Sequence, residues 1–201
     1  MYMIRPEFNH DGIDLFSNFK DRNNVKVKWI NWTQDAIENL VLSEKPEAIF
    51  VESTIINHGE RHFTINYSLT CDPSWKVKTL NLELVETKEK IKLESDRYGN
   101  WSNDSGIIPK LHGAIDVDIT ATPFTNTLPI RRLKLGEKQH AEILVVYIKI
   151  PELSLDIDLQ RYTCLSKDTF LFEQINTNFN RKIKIDKDGL VVRYPGLFKR
   201  I

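Results

Sequence analysis

The chain has 201 residues, with 28 Lys plus Arg against 28 Asp plus Glu and a formal net charge of zero. That length suits one domain with a full core. The charge balance argues against nucleic acid as the main partner, because phosphate binding needs a cationic surplus or a basic stripe. No apolar run approaches the ~20 residues that span a bilayer, and Met1–Glu7 carries no apolar secretory core. A cytoplasmic protein with no integral membrane segment is the expectation. Cys71 and Cys164 are then reduced, semi-buried thiols, although a disulfide between them stays open.

Residues 1–24 read as an N-terminal extension in which Ile13, Leu15, Phe16 and Phe19 form a short amphipathic turn. From residue 25 the pattern changes to period two and holds to the end, so 25–201 reads as a single β domain. Strands are predicted over 25–32, 36–42, 48–56, 63–69, 75–85, 90–94, 115–119, 141–150, 153–160 and 169–175, with further strands around Ile183 and Ile185 and around Leu190, Val192 and Tyr194. Phe63, Ile65, Tyr67 and Leu69 share one face of their strand. Turn residues punctuate the series at Asn57–Gly59, Asp72–Pro73, Tyr98–Asn100, Gly136, Pro151 and Lys187–Gly189. Short strands at this rhythm predict an all-β, antiparallel fold, a curved sheet or barrel-like shape from half-barrel to closed barrel, with few short helices. Parallel βαβ units are not expected, because the connections look too short for crossover helices.

Two strands echo one another, Ile115-Asp-Val-Asp-Ile119 and Leu155-Asp-Ile-Asp-Leu159. Their acids are expected to solvate a polar strand face. Lys182, Lys184, Lys187, Arg193, Lys199 and Arg200 make the C-terminal region mildly basic, and the expectation for them is charge protection of a strand edge.

The run Thr122-Pro-Phe-Thr-Asn-Thr-Leu-Pro-Ile-Arg-Arg-Leu133 is the most distinctive stretch. Each proline fixes its own φ and pushes the residue before it toward extended backbone. A rigid, extended crossover with almost no helical tendency is predicted, leading into a strand from Leu133. If that strand is regular, Arg131 shares a face with Leu133 and Leu135 while Arg132 points opposite, so either guanidinium is a partner for Asp116 or Asp118.

This run, with Gly113–Thr120 before it, resembles the bacterial family called putative glycolipid-binding proteins. Trp32, Tyr67–Trp75, Gly99–Trp101, Gln160–Thr163 and Gly189–Phe198 match in the same order. The resemblance runs from about Val25 to the C-terminus. It implies an all-β fold like a curved sheet or half-barrel, related in shape to lipoprotein carriers, and a lipid or glycolipid ligand.

No catalytic signature is present: there is no nucleophile elbow, zinc-protease helix, phosphate loop or dinucleotide fingerprint. His58 and His62 are four apart, but Gly59 between them rules against a helical metal site. No metal or cofactor is predicted. The aromatics Trp29, Trp32, Trp75, Trp101, Phe124, Tyr162 and Tyr194 fall at strand ends or beside turns, where rings either fill a β core or meet sugar faces. The first expectation is non-enzymatic binding of an amphiphile in an apolar β cavity with a polar rim. Each buried CH₂ is worth about 0.8 kcal/mol there. Its ligand-binding candidates are Trp32, Trp75, Trp101, Asp118, Phe124, Asn126, Arg131, Arg132, Gln160, Tyr162 and Tyr194. The alternative is an enzyme of unrecognised type using Asp118, Arg131 and Tyr162 in the same cavity. A third is an interaction module that uses a sheet edge.

Overall fold

The computed structural model describes residues 24–201. The turn expected around Ile13, Leu15, Phe16 and Phe19 lies outside the described residues.

Eight strands form a first meander: β1 (Asn24–Asn31), β2 (Ala36–Glu44), β3 (Ile49–Asn57), β4 (Phe63–Cys71), β5 (Val77–Leu84), β6 (Lys90–Ser95), β7 (Trp101–Asn103) and β8 (Gly106–Ile107). After a turn of 3₁₀ helix at Pro109–Leu111 comes the short strand β9 (Asp116–Ile119). The chain then crosses over through a second 3₁₀ turn (Phe124–Asn126) and α1 (Thr127–Leu133). A second meander follows: β10 (His140–Lys149), β11 (Ser154–Ser166), β12 (Thr169–Gln174), β13 (Asn180–Ile185), β14 (Val191–Tyr194) and β15 (Phe198–Arg200). Alternation does what it promises in most of them. β4 buries Phe63, Ile65, Tyr67, Leu69 and Cys71 and turns the residues between them outward.

The meanders join where β1 pairs antiparallel with β15, making one sheet of fifteen strands that runs from β8 to β9. Those two end strands do not pair, so the sheet is not closed into a barrel. It is strongly rolled instead. Val117 and Ile119 of β9 and Val146 and Ile148 of β10 share one core with Leu69 of β4, Leu82 of β5 and Leu93 of β6. A flat sheet would hold these strands far apart. A second cluster, with Tyr162, Phe170, Phe172, Ile183, Val191 and Tyr194, fills the concave side of β11 to β14.

Two expectations fail at the crossover. Thr122 to Ile130 is buried throughout, and from Phe124 onward it is helical rather than extended. The reason is that a proline φ near −65° suits a first helical turn as well as it suits extended chain, and the first turn needs no N–H from it. Pro123 stands just before the 3₁₀ turn and Pro129 falls in the first turn of α1. Lys134, at φ 50, ends the helix. Leu133 therefore belongs to α1, and the alternating-face argument for Arg131 and Arg132 does not apply. The crossover also makes β9 parallel to β10, with Val117 opposite Val146, so one βαβ unit exists after all. β11 flanks β10 on its other side, antiparallel, so the echoed Asp-bearing strands are the two neighbours of one strand.

Candidate functional site

The roll places the crossover inside the sheet, and this decides where a ligand has room. Phe124 and Leu128 are fully buried in the larger core. The expected empty, greasy interior is filled by this plug, and the concavities that remain open at the surface. One of about 290 Å³ is lined by Asp118, Thr120, Thr122, Asn126, Tyr147, Phe172, Gln174, Phe179, Tyr194 and Phe198. A second, of about 340 Å³, has Trp32, Ala36, Ile55, Phe63, Ala121, Ile150 and Pro151 in its wall, with the polar Asn31, Thr33, Asn57 and Arg61 beside them. Thr120, Leu197 and Phe198 line both.

The first cavity has aromatic walls and a polar floor. Phe172 meets Tyr162, Phe179 and Tyr194 edge-on, with centroids 5.3, 6.0 and 6.2 Å apart, and Tyr194 meets Phe198 at 6.3 Å. Asp118 accepts from the Gln160 amide at 2.7 Å and the Thr125 hydroxyl at 3.1 Å. Asp158 accepts from the amides of Gln160 and Gln174 at 3.1 and 3.0 Å. Burial pushes the Asp118 carboxyl above the usual range, the two hydrogen bonds oppose this, and the Asp158 charge adds to the rise. Gln160 is fully buried and its carbonyl oxygen has no partner among the described residues. Asn126 accepts from the Tyr162 hydroxyl at 3.0 Å and donates to the Pro123 carbonyl at 3.1 Å, which ties the plug to the cavity wall.

Of the sequence candidates, Asp118, Asn126 and Tyr194 come together around this cavity, with Gln160 and Tyr162 bonded behind them. Trp32, 42% exposed, borders the adjoining cavity. The rest go elsewhere. Phe124 is core. Trp101 is buried, donates its indole N–H to the Ala114 carbonyl at 2.8 Å and borders a separate hollow beside Pro109 and His112. Trp75, Arg131 and Arg132 flank a third hollow of about 270 Å³ with Glu44 and Lys134. There the Arg131 guanidinium stacks 4.4 Å above the Trp75 ring, donates to Glu44 at 2.9 Å and to the Asp188 carbonyl at 2.8 Å. Arg132 makes a two-pronged pair with Asp116, at 3.1 and 2.6 Å. Asp116 is wholly buried and not on a solvated face, because β9 is covered on both sides. Burial raises its carboxyl, and Arg132 works against that. Cys71 and Cys164 are both buried free thiols, deeper than expected.

Sequence reasoning missed Tyr147, Phe172, Gln174 and Phe198, whose only signal was their place in alternating strands, and Phe179, in the connection just before β13. It also missed Glu38. This carboxylate, 3% exposed, accepts from Ser53 at 2.7 Å, Tyr67 at 2.8 Å and Thr122 at 2.7 Å. Its signal was alternation as well, since Glu38 shares a face with Leu40 and Leu42. A further concavity, about 550 Å³, lies over the outer face of β2 to β6 beside Asn39, Thr54, Asn66, Asn81 and Lys92. Two of its polar pairs bond across strands, Thr54 with Asn66 at 2.7 Å and Asn81 with Ser68 at 3.4 Å. Among the described residues no three His, Cys, Asp or Glu side chains converge as a metal site would require, and no helix is long and apolar enough to cross a membrane.

Fold and site together define a class: an open, rolled β-sheet plugged by its own crossover, with an aromatic, acid-floored groove at the rim. The chain belongs to the family described as "Putative glycolipid-binding", whose model matches residues 26–200. It is similar to the crystal structure of a DUF1089 family protein from Pseudomonas aeruginosa, with a TM-score of 0.71 and 32% identity over 82% of this chain and 92% of that one. No curated protein matches this chain.

Proposed function

We propose that the protein binds an amphiphile at the rim of the rolled sheet, with the polar head in the aromatic cavity and the tail along the apolar wall of the adjoining one, and does no chemistry on it. The observation that carries this reading is the shared wall of Thr120, Leu197 and Phe198, which joins a hollow floored by Asp118 to one that has Ile55, Phe63, Ala121, Ile150 and Pro151 in its wall beside the polar Asn31, Asn57 and Arg61. Sugar hydroxyls suit the first: Asp118 accepts, Asn126 and Gln174 both donate and accept, and flat ring faces flank them. An acyl chain suits the second, where Ile55, Phe63, Ala121, Ile150 and Pro151 give about 0.8 kcal/mol for each CH₂ they cover. A glycolipid combines both halves, and the family description supports that choice.

The test is thermal stability of delipidated protein with octyl glucoside below its micellar concentration, together with displacement of a fluorescent acyl probe. The melting point should rise with ligand, and Phe198→Ala and Asp118→Asn should each weaken binding about tenfold, the loss of one well-placed contact. A wild type that is not stabilised by the ligand and does not bind the probe would sink the reading. The raised Asp118 carboxyl favours the second, enzymatic reading, in which it would act as an acid. Arg131, the cation that reading needs, is held at Trp75 beside another hollow. Turnover that Asp118→Asn abolishes with affinity retained would make the enzyme the better description.

A further inference from the structure

One row of side chains crosses the outer face of the sheet where the two meanders join. In spatial order it reads Lys184 on β13, Arg193 on β14, Lys199 on β15, Ile30 on β1, Ile37 on β2 and Ile56 on β3, each directly opposite the next. At ~4.8 Å per strand the row is about 24 Å long. One half is cationic and the other β-branched and apolar. Ile37 and Ile56 are 38% and 47% exposed. Trp32 borders this face beside the basic half, with the Arg193 guanidinium 5.6 Å over its ring. Lys182 and Lys28, each two residues along its strand from a member of the row, widen it with further exposed cations. Ile201, also exposed, is bonded to the Lys28 carbonyl. Among the described residues, the only acid paired with a cation of the row is Asp168, 3.7 Å from Lys184.

A strand face that only has to stay soluble interleaves charges of both signs and keeps β-branched aliphatics apart. We propose that this face is where the protein lies against an anionic bilayer. Lys184, Arg193 and Lys199, with Lys182 and Lys28, would meet lipid phosphates. Trp32 belongs to the ring types that favour the water–hydrocarbon boundary, and the three isoleucines would enter the outermost apolar layer. Nucleic acid would use the cations and leave the isoleucines wet. A second copy turned about a two-fold axis through the middle of the row would set cations on isoleucines. Trp32 and Leu197 also border the cavity that holds Ile55, Phe63 and Ile150, so docking here brings that cavity to the lipid surface. The inference goes beyond the groove reading and does not depend on what the groove holds.

Co-sedimentation of the full chain with vesicles tests it. Vesicles of phosphatidylcholine with roughly one-third phosphatidylglycerol should bind the protein and pure phosphatidylcholine should not. Binding should weaken between about 0.02 M and about 0.3 M salt. The double variant Arg193→Glu with Lys199→Glu should lose about tenfold or more in partitioning. Ile37→Ser with Ile56→Ser should lose the salt-resistant part. All four positions are on the outer face, and melting curves check that the variants fold. Equal binding to both vesicle types, or none to either, overturns the proposal. A concentration-dependent dimer that Ile37→Ser abolishes would reassign the face to self-association, and preference for duplex DNA over vesicles would reassign it to nucleic acid. Vesicle binding without acyl-probe binding would leave this inference standing and the groove reading refuted, and the reverse outcome would do the opposite.

Discussion

Glu38 is the residue at which local chemistry has the largest leverage. Burial raises its carboxyl from an ordinary 4.5 to about 7, and three hydroxyl bonds hold it back from rising further. Because the folded value lies above the unfolded one, the folded protein holds this proton more tightly. The stability it contributes is complete below pH 4.5 and drains away as pH rises toward 7, by an amount on the order of 3 kcal/mol. Asp116 and Asp118 are shifted the same way, so the wild-type curve contains their contributions too. Glu38→Gln should remove the Glu38 part: the difference in melting point between variant and wild type should grow in the variant's favour from pH 4.5 to pH 7. A difference independent of pH would contradict the assignment. Arg132 presents the opposite case, a cation whose loss strands a charge. Arg132→Ala leaves Asp116 buried and unpaired, and denaturant unfolding should show a cost of about 3–5 kcal/mol. Arg132→Lys should recover only part of it, because an ammonium cannot make both bonds of the fork.

At the scale of elements, the plug carries most of the argument. The 3₁₀ turn and α1 are short enough that neither would persist alone, and both are held by what surrounds them. Phe124 is fully buried, so Phe124→Ala should cost about 3–5 kcal/mol in equilibrium unfolding. It should also weaken ligand binding, because Asn126 follows two residues later in the cavity wall. The exit of α1 is fixed from outside by the turn before β14. Gly189 has φ +77, and a Cβ there would lie 2.9 Å from Arg131 Cδ. Gly189→Ala should therefore cost more than the ~1 kcal/mol of a left-handed alanine. It should also shift Trp fluorescence as Arg131 is displaced from the Trp75 ring. An unchanged spectrum would separate the two regions.

For the whole molecule, the pairing of β1 with β15 is the seam that joins two meanders into one sheet. It is reinforced from within. Trp29 donates to the Val191 carbonyl at 2.7 Å, while Arg200 donates to the Leu190 and Val191 carbonyls at 2.7 and 2.9 Å and to Asp186 at 2.7 Å. Removing residues 198–201 deletes β15, exposes the edges of β1 and β14 and opens the wall shared by both cavities. The truncated chain should melt at a lower temperature in a broadened transition, with new binding of a hydrophobic dye. A sharp transition at the original temperature would mean that the plug alone holds the halves together.

Alternation of side chains by itself determined most strands of both meanders, because a period of two is a property of the local chain and needs no partner to be read; β7, β8 and β15, only two or three residues each, are too short to show it. Family membership, too, was legible in the linear order of the Trp, Pro and Arg motifs. What alternation cannot say is which face is covered. Asp116 and Asp118 looked like a solvated stripe until the roll of the sheet enclosed β9 on both sides. Lys184, Arg193 and Lys199 looked like scattered edge charges until the register aligned them in one row, with Arg200 turned inward to Asp186. Proline was ambiguous for a related reason: its φ serves extended chain and a first helical turn alike, and the core around Thr122–Ile130 chose between them. Long-range pairing and burial decided the plug, the rim groove and the row of outer cations, since each depends on segments brought together from distant parts of the chain.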